Sequence, residues 1–88
     1  MLPIGTVVKL KELNYEVMVY GYFVKDLKKK KLFIYSGQLY PYGLINFDFQ
    51  INFNPQDVEK IIFVGYSGDE YKAFNFGINK GLESLGEK

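Results

Sequence analysis

From Asn46 to Asn54 the chain alternates without a break. Phe47, Phe49, Ile51 and Phe53 fall on one side of an extended chain; Asn46, Asp48, Gln50, Asn52 and Asn54 fall on the other. A period of two describes a strand with one buried and one wet face, and it predicts a strand over 48–53. The pattern stops at Asn54-Pro55. Asn54 suits a helix N-cap, Pro55 the first helical position and Asp57 the first turn. With Val58, Ile61 and Ile62 at helical spacing, a short helix is predicted near 55–60. The run Ile61-Ile62-Phe63-Val64 then predicts a strand over 61–65, closed by Gly65-Tyr66.

Upstream, Thr6-Val7-Val8-Lys9-Leu10 is a β-branched strand, predicted over 6–10. Glu16 to Val24 is apolar on both faces, so it predicts a central strand or one covered on both sides. Gly21 inside it marks a bend or bulge. Leu32 to Tyr35 gives a third strand over 31–36, ended by Ser36-Gly37. Tyr40-Pro41-Tyr42-Gly43 reads as an ordered turn. Downstream, Ser67 and Glu70 have capping-box spacing. Tyr71, Phe74, Ile78, Leu82 and Leu85 recur every three or four residues, which predicts a helix over 69–83 with an apolar stripe. The expected fold class is therefore α+β. It is a small, strongly curved antiparallel sheet of four or five strands, SH3-like, with a short inserted helix and a C-terminal helix covering an open side. A single domain is expected over 1–88, with 1–66 as the barrel-like core and 67–88 as the C-terminal helix and tail.

Composition narrows the chemistry. The 88 residues are nearly half apolar, with eight Tyr and eight Phe, and the net charge is +1. Cys, His and Arg are all absent. Disulfides, thiolate metal sites, the usual general base near neutral pH and bidentate phosphate clamps are thereby excluded. No enzyme activity and no cofactor are expected. No apolar run approaches the ~20 residues of a membrane span, and no signal peptide opens the chain. A cytoplasmic location without a membrane partner is the expectation, and export without a cleaved signal stays open.

The remaining candidates are surfaces. Lys25 to Lys31 carries five Lys and one Asp, a local +4 in a hairpin loop, against zero for residues 1–24 and −3 for 32–88. Such a knob can hold single-stranded nucleic acid beside Tyr and Phe platforms, but the neutral total and the lack of Arg favour a solvated hairpin tip. Asp48, Asp57, Glu59, Asp69 and Glu70 match no metal-loop spacing, and Ser36, Ser67 and Ser84 have no histidine to activate them. Tyr40, Pro41, Tyr42 and Gly43 fit equally a packed turn closing the barrel or a recognition surface. The helical stripe Tyr71, Phe74, Ile78 and Leu82 reads first as core, yet Leu82 and Leu85 run beyond what so small a domain can cover, which points to a partner helix with Ile78 and Leu82 as candidate contacts.

Five pieces in order carry a family resemblance: Leu2-Pro3-Ile4-Gly5-Thr6-Val7-Val8, Gly21-Tyr22, Tyr40-Pro41-x-Gly43, Phe53-Asn54-x-x-Asp57 and Ile62-Phe63-x-Gly65-Tyr66. Together, over about residues 2–66, they resemble a small firmicute domain of unknown function. That domain is encoded beside type VIIb-secreted toxins that begin with a Leu-x-Gly helical domain. The sequence departs from the pattern at Tyr42, where an acidic residue is usual, and the segment beyond Tyr66 is not diagnostic. The resemblance implies an accessory factor, an adaptor or chaperone that binds the toxin's helical N-terminal domain before export, and it supplies no catalytic residue. The alternatives are a nucleic-acid-binding small barrel using the Lys25–Lys31 loop, and an immunity protein for the adjacent toxin.

Overall fold

A computed structural model describes residues 1–86, with side chains for all but Phe47 and residues 81–86. Five strands are present: β1 (Val7–Leu10), β2 (Glu16–Asp26), β3 (Lys31–Tyr40), β4 (Ile51–Phe53) and β5 (Val58–Phe63). One helix, α1 (Asp69–Gly86), follows them. The class is α+β. The strands form one antiparallel sheet in the order β4-β3-β2-β1-β5. The expected barrel closure is not made by strand pairing, because β4 and β5 are the two edges and, among the described residues, no ladder joins them.

The core lies on one face of this sheet. Val8, Leu10, Val17, Val19, Tyr35 and Phe53 form a single buried cluster. The register explains its make-up: Val8 faces Val17 and Tyr35 faces Phe53 across the ladders, so alternate positions of four strands meet. Phe53 is 2% exposed and its ring stacks on Tyr35 at 5.3 Å. Gly21 sits at a register shift in the β2/β3 ladder, the irregularity its position predicts.

Several boundaries differ from the sequence reading. β2 runs to Asp26 and β3 from Lys31 to Tyr40, so Ser36-Gly37 does not end the strand. The reason at Gly37 is close approach. A Cβ there would lie 2.6 Å from both the Met18 carbonyl oxygen and Val17 Cγ1, so glycine lets β2 and β3 pair tightly. The alternation at 46–54 is extended only over Ile51–Phe53; residues 47–49 form a 3-10 turn instead, and Phe49 is exposed. Local bonds win there: Asn46 Oδ1 accepts the Asp48 N–H (2.8 Å) and its carbonyl accepts the Phe49 N–H (3.0 Å).

The helix predicted at 55–60 is one 3-10 turn, Pro55–Asp57, and β5 begins at once with Val58. The Asp57 carboxylate accepts the Asn54 N–H (2.9 Å). The Asn54 side chain is occupied elsewhere, accepting the Ile34 N–H (2.9 Å), so it ties the turn to β3 rather than capping a helix. α1 is longer than the predicted 69–83. Its first backbone bond runs from Lys72 N–H to the Gly68 carbonyl (3.1 Å), which puts the N-cap at Gly68 and leaves Ser67 outside.

α1 does not cover the sheet. Its contact with the strands is light, and between 69 and 80 only Tyr71, Asn75 and Ile78 are even half-buried. It is held through the N-terminal residues. Tyr71 Oη donates to the Met1 carbonyl, the Met1 amine donates to Asn75 Oδ1 (2.8 Å), and Phe74 stacks on Tyr22 at 5.6 Å. Tyr22 Oη donates to the Leu2 carbonyl, and Tyr35 Oη accepts the Leu2 N–H (2.9 Å).

Candidate functional site

The strand β5 is unusual for its apolar sequence. Ile61, Ile62, Phe63 and Val64 are all exposed, Phe63 to 62%. Four consecutive apolar residues normally indicate a strand buried on both faces. Here the run lies at a sheet edge, where among the described residues one flank has no neighbouring strand and no layer covers the far face. Two register shifts in the β1/β5 ladder, at Val7/Val8 and Lys9/Leu10, add bulges that twist this edge. A bulged edge is a poor template for a sixth strand.

On the face away from the core Ile62 and Phe63 line a groove. Gly5, Val7, Glu16, Met18, Tyr40, Ile62 and Phe63 surround about 360 Å³ of space. The ladders bring them together: Val7 faces Met18 on one side and Phe63 on the other, and Glu16 faces Tyr40. The lining is apolar apart from Glu16 and the Tyr40 hydroxyl, an apolar concavity with few polar groups at its end. Gly65 closes the β5 end. A Cβ there would lie 2.2 Å from the Ile4 carbonyl oxygen, and its N–H donates to Thr6 Oγ1 (3.0 Å), which locks the strand exit against the N-terminal segment.

The residues singled out from sequence separate in the structure. Tyr40 lines the groove. Pro41 and Tyr42 are exposed beyond the end of β3, Tyr42 to 65%, and Gly43 follows with φ +79°, its N–H on the Leu39 carbonyl (2.8 Å). Neither Tyr42 nor Ile78 is among the groove residues. Ile78 is half-buried on α1, and the Leu82 side chain lies outside the described residues. The reading of the sequence missed Val7, Met18, Ile62 and Phe63. The signal was present in the run 61–64, but a run of that kind looks the same in a covered strand and in a bare edge.

The lysine segment is a tight hairpin end. Asp26 Oδ1 accepts the N–H groups of Lys28 (3.0 Å) and Lys29 (3.1 Å), and Lys30 takes φ +52°. Lys29 and Lys31 fold back over the Phe33 ring at 5.8 and 5.2 Å. Among the described residues no group of three or more acidic side chains is arranged to hold a metal ion, and no helix is long and apolar enough to cross a membrane. Burial, with the neighbouring Tyr71 and Tyr35 hydroxyls, pushes the Tyr22 hydroxyl up to about 12. The Tyr71 hydroxyl is raised as well, by burial first and then by Tyr35. Both hydroxyls act as hydrogen-bond donors to the N-terminal residues.

Residues 1–74 match the model of a family described as a domain of unknown function (DUF4176). No curated protein and no solved structure gives a match.

Proposed function

The chain belongs to the DUF4176 domain family, and on that footing we propose that it is a non-catalytic, protein-binding accessory factor that receives an amphipathic helix in the groove beside β5. The observation that carries this reading is the apolar edge: Ile62 and Phe63 stay exposed in a groove they share with Val7, Met18 and Tyr40. Apolar surface gathered in one place, rather than scattered, marks a surface kept for another chain. The bulges on β5 disfavour an added strand, so a helix laid into the groove is the better occupant.

The resemblance to a domain encoded beside type VIIb-secreted Leu-x-Gly toxins supplies the partner. In this reading the partner is the toxin's helical N-terminal domain, bound in the cytoplasm before export. The sheet is also read as curled toward an SH3-like half-barrel. Residues 54–57 alone carry the chain from one sheet edge to the other. Phe53 to Val58 reaches about 17 Å when fully extended, less than the roughly 19 Å across five flat strands, and the 3-10 turn shortens it further. Curling would wrap the sheet around the cluster of Val8, Val17, Val19, Tyr35 and Phe53 and leave the β5 groove on its outer face.

The test is co-expression with the N-terminal domain of the neighbouring toxin, followed by size-exclusion chromatography. The wild-type pair is expected to co-elute at one-to-one stoichiometry. Ile62→Asp with Phe63→Ser should release the partner while the far-ultraviolet circular dichroism of the domain is unchanged, because both side chains are exposed. A wild-type pair that elutes separately removes the adaptor reading. A double mutant that binds as tightly removes the groove as its site.

A further inference from the structure

We propose that the tip of the β2/β3 hairpin is a contact point for an anionic lipid surface. Beyond the pairing of Tyr22 with Tyr35 the hairpin is a two-stranded ribbon, since β1 pairs β2 only through Met18 and β4 pairs β3 only from Tyr35 onward. Its end therefore lies outside the ladders of β1 and β4, while Phe33 near its base is buried. The ribbon carries Lys25, Lys28, Lys29, Lys30 and Lys31, all exposed, and the single acid among them is Asp26. The Asp26 carboxylate is engaged by two backbone N–H groups of the turn. The one ion pair among the described residues, Lys9–Glu59 at 3.0 Å, lies elsewhere. The net charge of +1 for the whole chain conceals this local field.

Two further features favour lipid over nucleic acid. First, the tip exposes aliphatic side chains: Leu27 is 79% exposed and Leu32, paired with Lys25 across the ladder, is also exposed. A leucine flanked by lysines enters the headgroup–acyl boundary while the ammonium groups stay at phosphate level. Second, single-stranded nucleic acid is held by stacking on open aromatic faces, and the aromatic ring here is closed. Phe33 is 6% exposed and lies beneath Lys29 and Lys31, on the side where Leu10 to Leu13, Asn52, Phe53 and Asp57 gather. Lys29 and Lys31 are thus turned toward a region that also holds Glu12 and Asp57. Lys25, Lys28 and Lys30 with Leu27 and Leu32 form the set free to meet a membrane. This surface is distinct from the β5 groove, so the proposal stands independently of the adaptor reading.

The experiment is co-sedimentation of the full chain with vesicles of phosphatidylcholine alone or mixed with phosphatidylglycerol. Binding is expected to the mixed vesicles only, and to weaken as salt rises toward physiological strength. Each neutralised lysine should cost about fivefold in affinity, so Lys25→Gln, Lys28→Gln and Lys30→Gln together should cost about a hundredfold. All three side chains are exposed, so the circular dichroism should be unchanged. Leu27→Ser should weaken binding at every salt concentration; no effect overturns the insertion half of the proposal. Absence of binding at low salt, or equal binding to phosphatidylcholine alone, overturns the whole. So does a single-stranded oligonucleotide that binds the hairpin more tightly than the mixed vesicles and loses affinity in the triple variant, which would assign the tip to nucleic acid.

Discussion

Phe53 shows how much one side chain can carry in a domain of this size. It ends β4, it is 2% exposed, and it stacks on Tyr35 in the cluster with Val8, Leu10, Val17 and Val19. Deleting a buried phenylalanine side chain costs about 3–5 kcal/mol, the lost transfer energy plus the cavity. Small domains hold roughly 5–10 kcal/mol in total. Phe53→Ala is therefore expected to be largely unfolded or insoluble. A thermal melt by circular dichroism checks it, and a midpoint near the wild-type value would mean the neighbouring side chains collapse into the space. Phe53 itself was legible in the sequence, as the last apolar position of an alternating run before Asn54. Phe49 was not, because its alternation is the same and only the hydrogen bonds of Asn46 decide that the chain turns there.

At the scale of elements, the β2/β3 hairpin is the spine of the sheet. Its ladder extends from Glu16–Tyr40 to Asp26–Lys31. Gly37 sits where the two backbones come closest, and an added methyl would meet the Met18 carbonyl and Val17 Cγ1 at 2.6 Å. One of the two contacts is backbone, so the strands must shift apart. Overpacking of that kind typically costs about 1–3 kcal/mol. Gly37→Ala should lower the urea midpoint without altering the slope of the transition. An unchanged midpoint would mean the ladder yields at no cost. The sequence reading ended the strand at this glycine because glycine is a weak strand former; close approach of the neighbouring strand is the reason it is here. The edge strand β5 shows the opposite case, a good strand former left uncovered.

At the scale of the molecule, α1 is joined to the sheet by one direct ring contact, Phe74 on Tyr22, and otherwise by tyrosines acting through residues 1 and 2 rather than by a broad packed interface. This makes the assembly sensitive to alkali. Tyr22 has a folded pKa of about 12 against an ordinary value of 10.0, and the Tyr71 hydroxyl is raised too. A raised folded pKa means the neutral hydroxyl is favoured in the native state. The stability it contributes is fully present below pH 10 and is lost as pH rises from 10 through about 12. Urea midpoints measured across that window should fall, and Tyr22→Phe should show a shallower fall from a lower starting value. Parallel curves for the two proteins would mean Tyr22 is not part of the coupling. The tyrosines themselves were visible in the sequence as aromatic excess, but their pairing with Met1 and Leu2 joins positions up to 70 apart, which no local pattern encodes.

What the sequence determined alone is what short-range physics controls. Period-two and β-branched runs placed strands over 6–10, 16–24, 31–36, 48–53 and 61–65, and each overlaps one of the five observed; the 3.6-residue stripe placed α1; Gly21 marked a bulge; the absence of Cys, His and Arg removed whole classes of chemistry. The tertiary structure decided which strand stands at an edge, which apolar residues stay bare, and where α1 is attached. Burial is a property of what lies across the sheet, and strand order brings together residues far apart in the chain. The same Ile-Ile-Phe-Val would be core in the middle of this sheet; beside β1, with neither a sixth strand nor a covering layer among the described residues, it is surface.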